Sequence, residues 1–342
     1  MNGHDSSTSV PELSIIIVNW NSKDLLRQCL TSLYRHCQKT VFEVIVVDGA
    51  SFDGCDEMLA REFPAVRFVQ SPENIGFGRC NNLGVQHAQG QYFLFLNPDT
   101  ELLEDSIAIL MERARSLPEA GAVGCRLLNA DRSLQTSCVQ PFPTVLNQVI
   151  DSHFLRTWFP KWSVWGMQAL YKDNDDPAEV EVISGACMLI PKQVFIGVGG
   201  FSAQYFMYGE DLDLCFKICE TGKKIYSVLE TSIVHHGGCS TQKYSGNFSS
   251  VAMRDSVHKF LREHRGAATA GVYRLAMAGN ALVRLVFIVP CLMFTRNGPV
   301  RHGLGSLKKW TSILGWGFGK DPIYASAAVP AGASGGKAHD LP

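Results

Sequence analysis

The 342-residue sequence contains no uninterrupted apolar run of about 18 residues, the length that a bilayer-spanning helix needs. Its first twelve residues, Met1 to Glu12, are polar and lack the apolar stretch of a secretory signal, so a cytoplasmic location is expected. No two cysteines are spaced CxxC, and their total of 11 is odd. Cys29, Cys37, Cys187, Cys215 and Cys219 sit inside apolar runs, which argues against a disulfide framework and for buried thiols in a reducing compartment. Neither sign of charge is in excess: 31 basic residues stand against 32 acidic ones, so the basic stripe of a nucleic-acid binder is missing and no nucleic-acid partner is expected. No GxxxxGK followed by Ser or Thr occurs, which excludes a P-loop. Gly76 and Gly78 have no third glycine at the spacing of GxGxxG and no strand directly before them, which argues against dinucleotide binding. There is no internal repeat.

What is present is a globular composition: 46% apolar and 18% charged residues, enough chain for one large α/β domain or two small ones. From Leu13 to Leu128 strand and helix signals alternate. Leu13 to Val18 and Phe42 to Val47 are short β-branched apolar runs, as in strands buried on both faces. Between them Leu25, Leu26, Cys29, Leu30 and Leu33 share one helical stripe behind the cap-type residues Asn21 and Ser22. Further strands are predicted at 65–69, 91–96 and 122–128, with a helix over 102–117. This alternation implies a mainly parallel sheet with helices on both faces. Residues 129–176, rich in Pro, Trp and Phe, read as an irregular excursion over the active edge of the sheet. Regular structure resumes at 179–190, followed by a helix over 211–221 and a strand over 224–229. From about Ser249 the chain reads as helical, and the small, polar, Gly/Ala-rich 325–342 reads as a disordered tail.

In an open parallel sheet, ligands bind beyond the carboxyl ends of the strands. Three predicted strands end in polar residues: at Asn19, Trp20 and Asn21; at Asp48 to Ser51; and at Asn97, Pro98 and Asp99. Asp48 can accept from a ribose or a base edge, although Asp53–Gly54 after it is good turn chemistry. The Gly- and Asn-rich stretch from Glu73 to Gly84 leads into a short helix whose N-terminus could hold a nucleotide. Asn97–Pro98–Asp99 offers oxygen ligands for a hard divalent cation, and is also an ordinary turn sequence. Glu210, Asp211 and Asp213 open a helix; they suit a general base, or only the helix dipole. Aromatic Phe201, Tyr205, Phe206 and Tyr208 surround them, as a sugar-stacking site requires. His235 and His236 follow in a Gly-rich turn and could ligate a metal or touch a phosphate.

The ordered set resembles glycosyltransferase family 2, nearest its rhamnosyltransferase-like branch. It runs from Ser14-Ile-Ile-Ile-Val-Asn-Trp-Asn21 through Val-Val-Asp48, Asn74-Ile-Gly-Phe77, Asn82-Leu-Gly84, Leu-Asn97-Pro-Asp99-Thr, Gly185–Ala186, Gly-Gly-Phe201 and Glu210-Asp211-Leu-Asp213 to His235–Ser240. The resemblance covers about Leu13 to Thr241. Each motif is weak alone, and their order is what is specific. It implies a GT-A-type, Rossmann-like fold over 13–248, after a flexible 1–12 and before a helical extension over 249–324. It further implies an inverting mechanism and the following roles. Val18, Asn19, Asp48, Asn82 and Asn97 serve the donor nucleotide. Asp99 of a DXD-like motif and His235, with His236 as the neighbouring alternative, serve Mg2+ or Mn2+. Asp211 is the base with Glu210 beside it, and Gly185, Ala186, Phe206 and Tyr208 meet the acceptor. The sequence departs from the family pattern at Asn97 for the first acid of DXD, at Gly49 for Asn, and at Ser202 for Asp.

The reaction so implied moves a sugar from a nucleotide-diphosphate donor, dTDP-rhamnose or a UDP-sugar, to a saccharide or lipid-linked acceptor in cell-surface polysaccharide synthesis. Two other readings compete. A nucleotidyltransferase would carry a Gly-rich basic loop after the first strand, where this chain has Asn19 to Lys23 with no glycine. A non-catalytic nucleotide-sugar-binding protein would lack the base or the metal carboxylate, and Asp211 and Asp99 are both present. The apolar run Leu285 to Phe294, interrupted by Pro290 and flanked by Arg284, Arg296, Arg301, Lys308 and Lys309, fits either an interfacial helix making peripheral membrane contact through 282–310 or a core helix.

Overall fold

The computed structural model describes residues 10–172, 174, 176–237, 248–294 and 300–320; the expected tail 325–342 and residues 1–9 of the expected flexible N-terminus lie outside them. The chain begins β1 (Leu13–Asn19), α1 (Lys23–His36), β2 (Phe42–Asp48), α2 (Cys55–Glu62), β3 (Arg67–Gln70), α3 (Phe77–Val85) and β4 (Tyr92–Leu96). Then come β5 (Thr100–Leu102), α4 (Ser106–Ser116) and β6 (Ala120–Leu128). The irregular excursion holds β7 (Val139–Gln140), α5 (Val145–Ile150) and α6 (His153–Trp158), and leads to β8 (Ala178–Val180) and β9 (Val182–Ile183). It is followed by β10 (Cys187–Pro191), α7 (Lys192–Gly197), α8 (Glu210–Glu220) and β11 (Lys224–His235). The described C-terminal helices are α9 (Phe248–His264), α10 (Ala267–Phe294) and α11 (Val300–Gly317).

The main sheet has the order β3-β2-β1-β4-β10-β6-β11-β5, with β8 paired to β11. β1 is buried along its whole length because both faces are covered. Ile15 and Ile17 join α1, α2 and α4 in one core, while Ile16 joins α7 and α8 in the other, as a period of two demands. The four strands β3, β2, β1 and β4 are parallel, as the alternation predicts. After β3 the chain crosses back to β4 on the other side of β1, so a crevice opens beyond the carboxyl ends of β1 and β4.

Three details decide what lines that crevice. β10 runs antiparallel between β4 and β6, with Cys187 opposite Leu96. Gly185 and Ala186, which precede it, therefore lie at the same edge as Asn97. β11 runs six residues past the predicted Leu229, through an irregularity between Val228 and Ser232, and places His235 opposite Thr100. The polar Glu230–Ser232 does not end the strand, because Glu230 pairs with Arg113 and Thr231 bonds Glu104 and Ser106. The helix predicted over 102–117 begins only at Ser106, because Asp105 caps it by accepting from Ala108 N.

The C-terminal helices pack on this sheet. Phe260, Tyr273, Met277 and Trp316 form a core with Phe142, Val145, Leu212 and Phe216. α10 is helical straight through Pro290. A glycine sets one junction: Gly76 has φ +89°, and a Cβ there would lie 2.3 Å from the Phe206 carbonyl oxygen, which accepts from Phe77 N. Gly76→Ala is expected to cost about 1–3 kcal/mol. The check is a lower urea midpoint at constant slope, against a Gly197→Ala control, where nothing lies within 4 Å of the new Cβ.

Candidate active site

At the ends of β1 and β2 the register pairs Asn19 with Asp48. Asn19 Nδ2 donates to Asp48 Oδ1 at 2.8 Å, and Ser51 N and Gln70 Nε2 each donate to Oδ2 at 2.9 Å. Burial alone would raise the Asp48 pKa, but the donors from Ser51, Gln70, Asn19 and Phe52 outweigh it and hold the carboxyl below its ordinary range. Both side chains are fully buried, and Asn19 Oδ1 has no hydrogen-bond partner. The crevice wall at this point is made by Val18, Trp20 and Gly49 instead. Asn21, Ala50 and Phe52 all have left-handed backbone, so strained residues collect in the two loops over this edge.

Asn97, Asp99 and His235 meet across β4 and β11. His235 Nδ1 lies 2.7 Å from Gln135 Oε1. A glutamine carbonyl can only accept, so this network puts the proton on Nδ1 and leaves the lone pair on Nε2. Nε2 accepts from Asn97 Nδ2 at 3.2 Å and lies 3.3 Å from Asp99 Oδ1. A lone pair and a carboxylate oxygen at that separation repel each other unless a proton or a cation stands between them. Asn97 Oδ1 is also buried without a partner. This donor set fits a divalent ion that takes its remaining oxygens from a bound ligand. His236 lies on the other side of the chain, 3.6 Å from Glu101. Two tighter clusters among the described residues, Asp48–Asp53–Cys55 and Asp213–Glu263–His264, suit a metal less well. Asp48 is already saturated, and Asp213 is occupied by His264, Ser202 and Lys217.

The opposite wall is the start of α8. Tyr208 has φ 68° and Gly209 φ 82°, and this double left-handed turn points the helix N-terminus into the crevice. A Cβ on Gly209 would come 2.8 Å from Ser256 Cβ. Asp211 accepts from Leu212 N at 2.8 Å and from Gly185 N at 3.2 Å. Burial raises the Asp211 pKa against those two donors. Burial, and then the neighbouring Asp211, pushes Glu210 up to about 8; its Oε2 has no partner. The charge of the pair therefore rests on Asp211, which gathers the N–H groups of Gly185 and Leu212 while Glu210 has only its own.

Val18, Asn97, Asp99, Gly185, Ala186, Tyr208, Glu210, Asp211 and His235 thus line one cavity of about 250 Å3. Four expected residues do not. Asp48 and Asn19 are turned into their own network behind the wall. Asn82, expected at the nucleotide, is spent on Phe201: its Nδ2 donates to the carbonyl at 2.8 Å and its Oδ1 accepts the N–H at 3.0 Å. Phe206, expected at the acceptor, contributes its carbonyl to Phe77 N and lines neither this cavity nor a second, larger one. Sequence reasoning missed Gln135, which lies in the irregular excursion where no motif marked it. Tyr208, Glu210 and Asp211 also border the second cavity, of about 780 Å3.

The Glu210 shift has a definite sign. Between its ordinary value of 4.5 and about 8 the folded state holds a proton that the unfolded chain releases. Stability from this group is full below that window and is lost as pH rises through it. Glu210→Gln should therefore flatten the fall in unfolding free energy between those pH values, measured by urea titration. An unchanged slope would mean that Glu210 is ionised in the folded protein.

The family model for glycosyl transferase family 2 matches residues 14–196, just over half of the chain. The chain is 26% identical over 285 residues to the N-acetylglucosaminyl-diphospho-decaprenol L-rhamnosyltransferase of Mycobacterium tuberculosis, covering 80% of this chain and 91% of that protein. It is 28% identical over 236 residues to rhamnosyltransferase WbbL of Escherichia coli, covering 65% and 82% respectively. Among solved structures, GalNAc-T7 with UDP, GalNAc and Mn2+ matches at TM-score 0.51 and 16% identity, over 66% of this chain and 44% of that one. That likeness speaks to the fold, and the chain spans less than half of that structure's length.

Proposed function

The chain belongs to glycosyltransferase family 2 and is a glycosyltransferase, and on that premise we propose that it is an inverting, metal-dependent enzyme of cell-surface polysaccharide synthesis. Its donor is dTDP-rhamnose, a reading supported by the names of the two rhamnosyltransferase relatives; a UDP-sugar is the alternative. The acceptor is a saccharide or a lipid-linked sugar. One observation carries the proposal: a carboxylate–imidazole pair and a separate half-buried carboxylate face each other across one small cavity, held by different elements.

Asp99 and His235 would hold Mg2+ or Mn2+, which stabilises the growing charge on the leaving diphosphate when bound. Gln135 keeps the His235 lone pair turned inward. Asp211 takes the proton from the acceptor hydroxyl, and burial makes its carboxylate a stronger base than an exposed one. Glu210, protonated, leaves a single negative charge on the pair. The hydroxyl attacks from the Asp211 side, opposite the diphosphate, in a single displacement that inverts the anomeric centre. Val18, Trp20 and Gly49 form the nucleoside wall, with Asp48 and Asn19 bracing it from behind. We read 13–248 as the transferase domain and the following helices as an extension on it, supported by their shared core.

We place a peripheral membrane contact on α10. Val272, Leu275, Leu282, Val283, Val286 and Phe287 are more than half exposed. Leu285, between them, packs inward on Ala281, Trp310 and Ile313, so the helix is core on one face and free on the other. No helix among the described residues is long and apolar enough to cross a membrane.

Asp211→Asn is expected to lower transfer by about 10²–10⁴-fold while donor binding by calorimetry is retained; lost binding would make the residue structural. Asp99→Ala should reduce donor affinity in Mn2+ to the level seen in EDTA, and a persisting metal response would remove its role. Val286→Asp with Phe287→Asp should reduce flotation with anionic vesicles. These two side chains are exposed, whereas deletion from Leu282 onward would also remove the buried Trp310, Ile313 and Trp316.

A further inference from the structure

The cavity of about 780 Å3 is enclosed by the excursion, the start of α8 and the helices α9, α10 and α11, and it joins the smaller cavity at Tyr208, Glu210 and Asp211. Its far side is cationic. Arg254 lines it, and among the described residues no carboxylate lies within 4 Å of its guanidinium. Arg254 Nη1 donates to Ser250 O at 2.7 Å, while Nε is buried with no partner. Arg254 and Arg284 carry their charges 5.5 and 4.5 Å from the centroid of the Trp310 ring, and Lys309 Nζ is 5.5 Å from it. Arg156 lines the same cavity, but it is bound to Asp151 at 2.7 Å. Burial pulls Arg254 below its ordinary pKa against Tyr273 and Asp151, and burial and then the neighbouring Arg254 and Arg284 pull Lys309 down. Arg254 and Arg156 line the cavity, while Arg284 and Lys309 share the Trp310 ring with Arg254; this positive charge beside Asp151, with a buried guanidinium nitrogen unused, is an arrangement that folding alone does not reward. A multiply charged anion with several oxygens would satisfy it, and phosphate suits the guanidinium fork.

The position narrows the ligand. Asp211 stands at one end of this cavity and the cations at the other. On α10, Asn280 lines the cavity and accepts from Arg284 Nε at 3.0 Å, while Val283, Val286 and Phe287 face outward. A hydroxyl site, an anion site and an apolar surface thus follow one another. Resting on the transferase reading above, we propose that the larger cavity is the acceptor site, and that Arg254, Arg284 and Lys309 bind the phosphate or diphosphate that joins the acceptor sugar to a lipid carrier. The same chemistry could come from the headgroup of a bilayer phospholipid, so the test separates the two.

Binding of inorganic pyrophosphate and of a soluble hexose 1-diphosphate ester is measured by calorimetry in EDTA without donor. Arg254→Gln should weaken both by about ten- to a hundredfold, with partial rescue in Arg254→Lys. Arg284→Gln, on a different helix, should weaken them too and covers the case in which the first variant does not fold. In transfer assays Arg254→Gln should raise KM for a phosphate-linked acceptor far more than it lowers kcat. No binding to the unaltered protein, or equal affinity in both glutamine variants, overturns the proposal. Lost flotation with phosphatidylglycerol vesicles in Arg254→Gln, with pyrophosphate binding unchanged, overturns it in favour of a headgroup site. Metal-dependent donor hydrolysis by the unaltered protein is scored separately: its absence counts against the transferase reading, and its presence beside failed pyrophosphate binding counts against the phosphate site alone.

Discussion

Asp213 carries a fully buried carboxylate, and three segments converge on it. Ser202 Oγ reaches it at 2.6 Å from the turn after α7, His264 Nε2 at 2.9 Å from the end of α9, and Lys217 Nζ at 3.3 Å from the next turn of its own helix. A charge so deep is tolerable only with its partners in place, and removing one leaves it uncompensated. The cluster therefore holds α8, the 200–209 loop and the C-terminal helices in one arrangement. Both cavities are bordered by those pieces, and Asp211 sits two residues away at the point where they meet. The strained Tyr208–Gly209 turn survives because this packing over-determines it.

The electrostatics of the two cavities differ, although they share Glu210 and Asp211. The smaller one gathers Asp99, Glu210 and Asp211 around His235, and among the described residues no lysine or arginine lines it. The larger one adds arginines and a lysine around Trp310, at the end away from Glu210 and Asp211 and beside Asp151. Such a gradient suits a reaction in which a diphosphate departs on one side and a phosphate-linked acceptor arrives on the other. Burial sharpens it, since charge interactions strengthen as water is excluded. Asp211 belongs to both cavities and is the proposed point of proton transfer.

Gln135 and Arg254 show where site residues escape a sequence reading. Gln135 is separated from His235 by 100 residues and lies in an excursion with no periodicity to place it. Arg254 sits in a helix of ordinary polar–apolar pattern, and nothing local says that its guanidinium nitrogen is buried. The choice between His235 and His236 became readable only when β11 was seen to continue to His235, because neighbouring residues on a strand face opposite ways. Asn82 and Asp48 went the other way. Their motifs are conspicuous, but their hydrogen-bonding capacity is taken up within the protein.

The sequence by itself determined the parallel half of the sheet, because β-branched apolar runs ending in Asn19, Asp48 and Asn97 are buried strands with polar carboxyl ends. It also determined the family, through the order of its motifs, and the candidacy of Asp99, Asp211 and His235. Only the tertiary structure decided that β10 enters antiparallel and brings Gly185 to Asp211, that a glutamine orients the histidine, and that the C-terminal helices close a cationic cavity beside the acidic one. The reason is physical. Periodicity and capping act over a few residues and are written locally, whereas pKa shifts, tautomers and unpaired buried charge arise from neighbours that folding brings in from elsewhere in the chain.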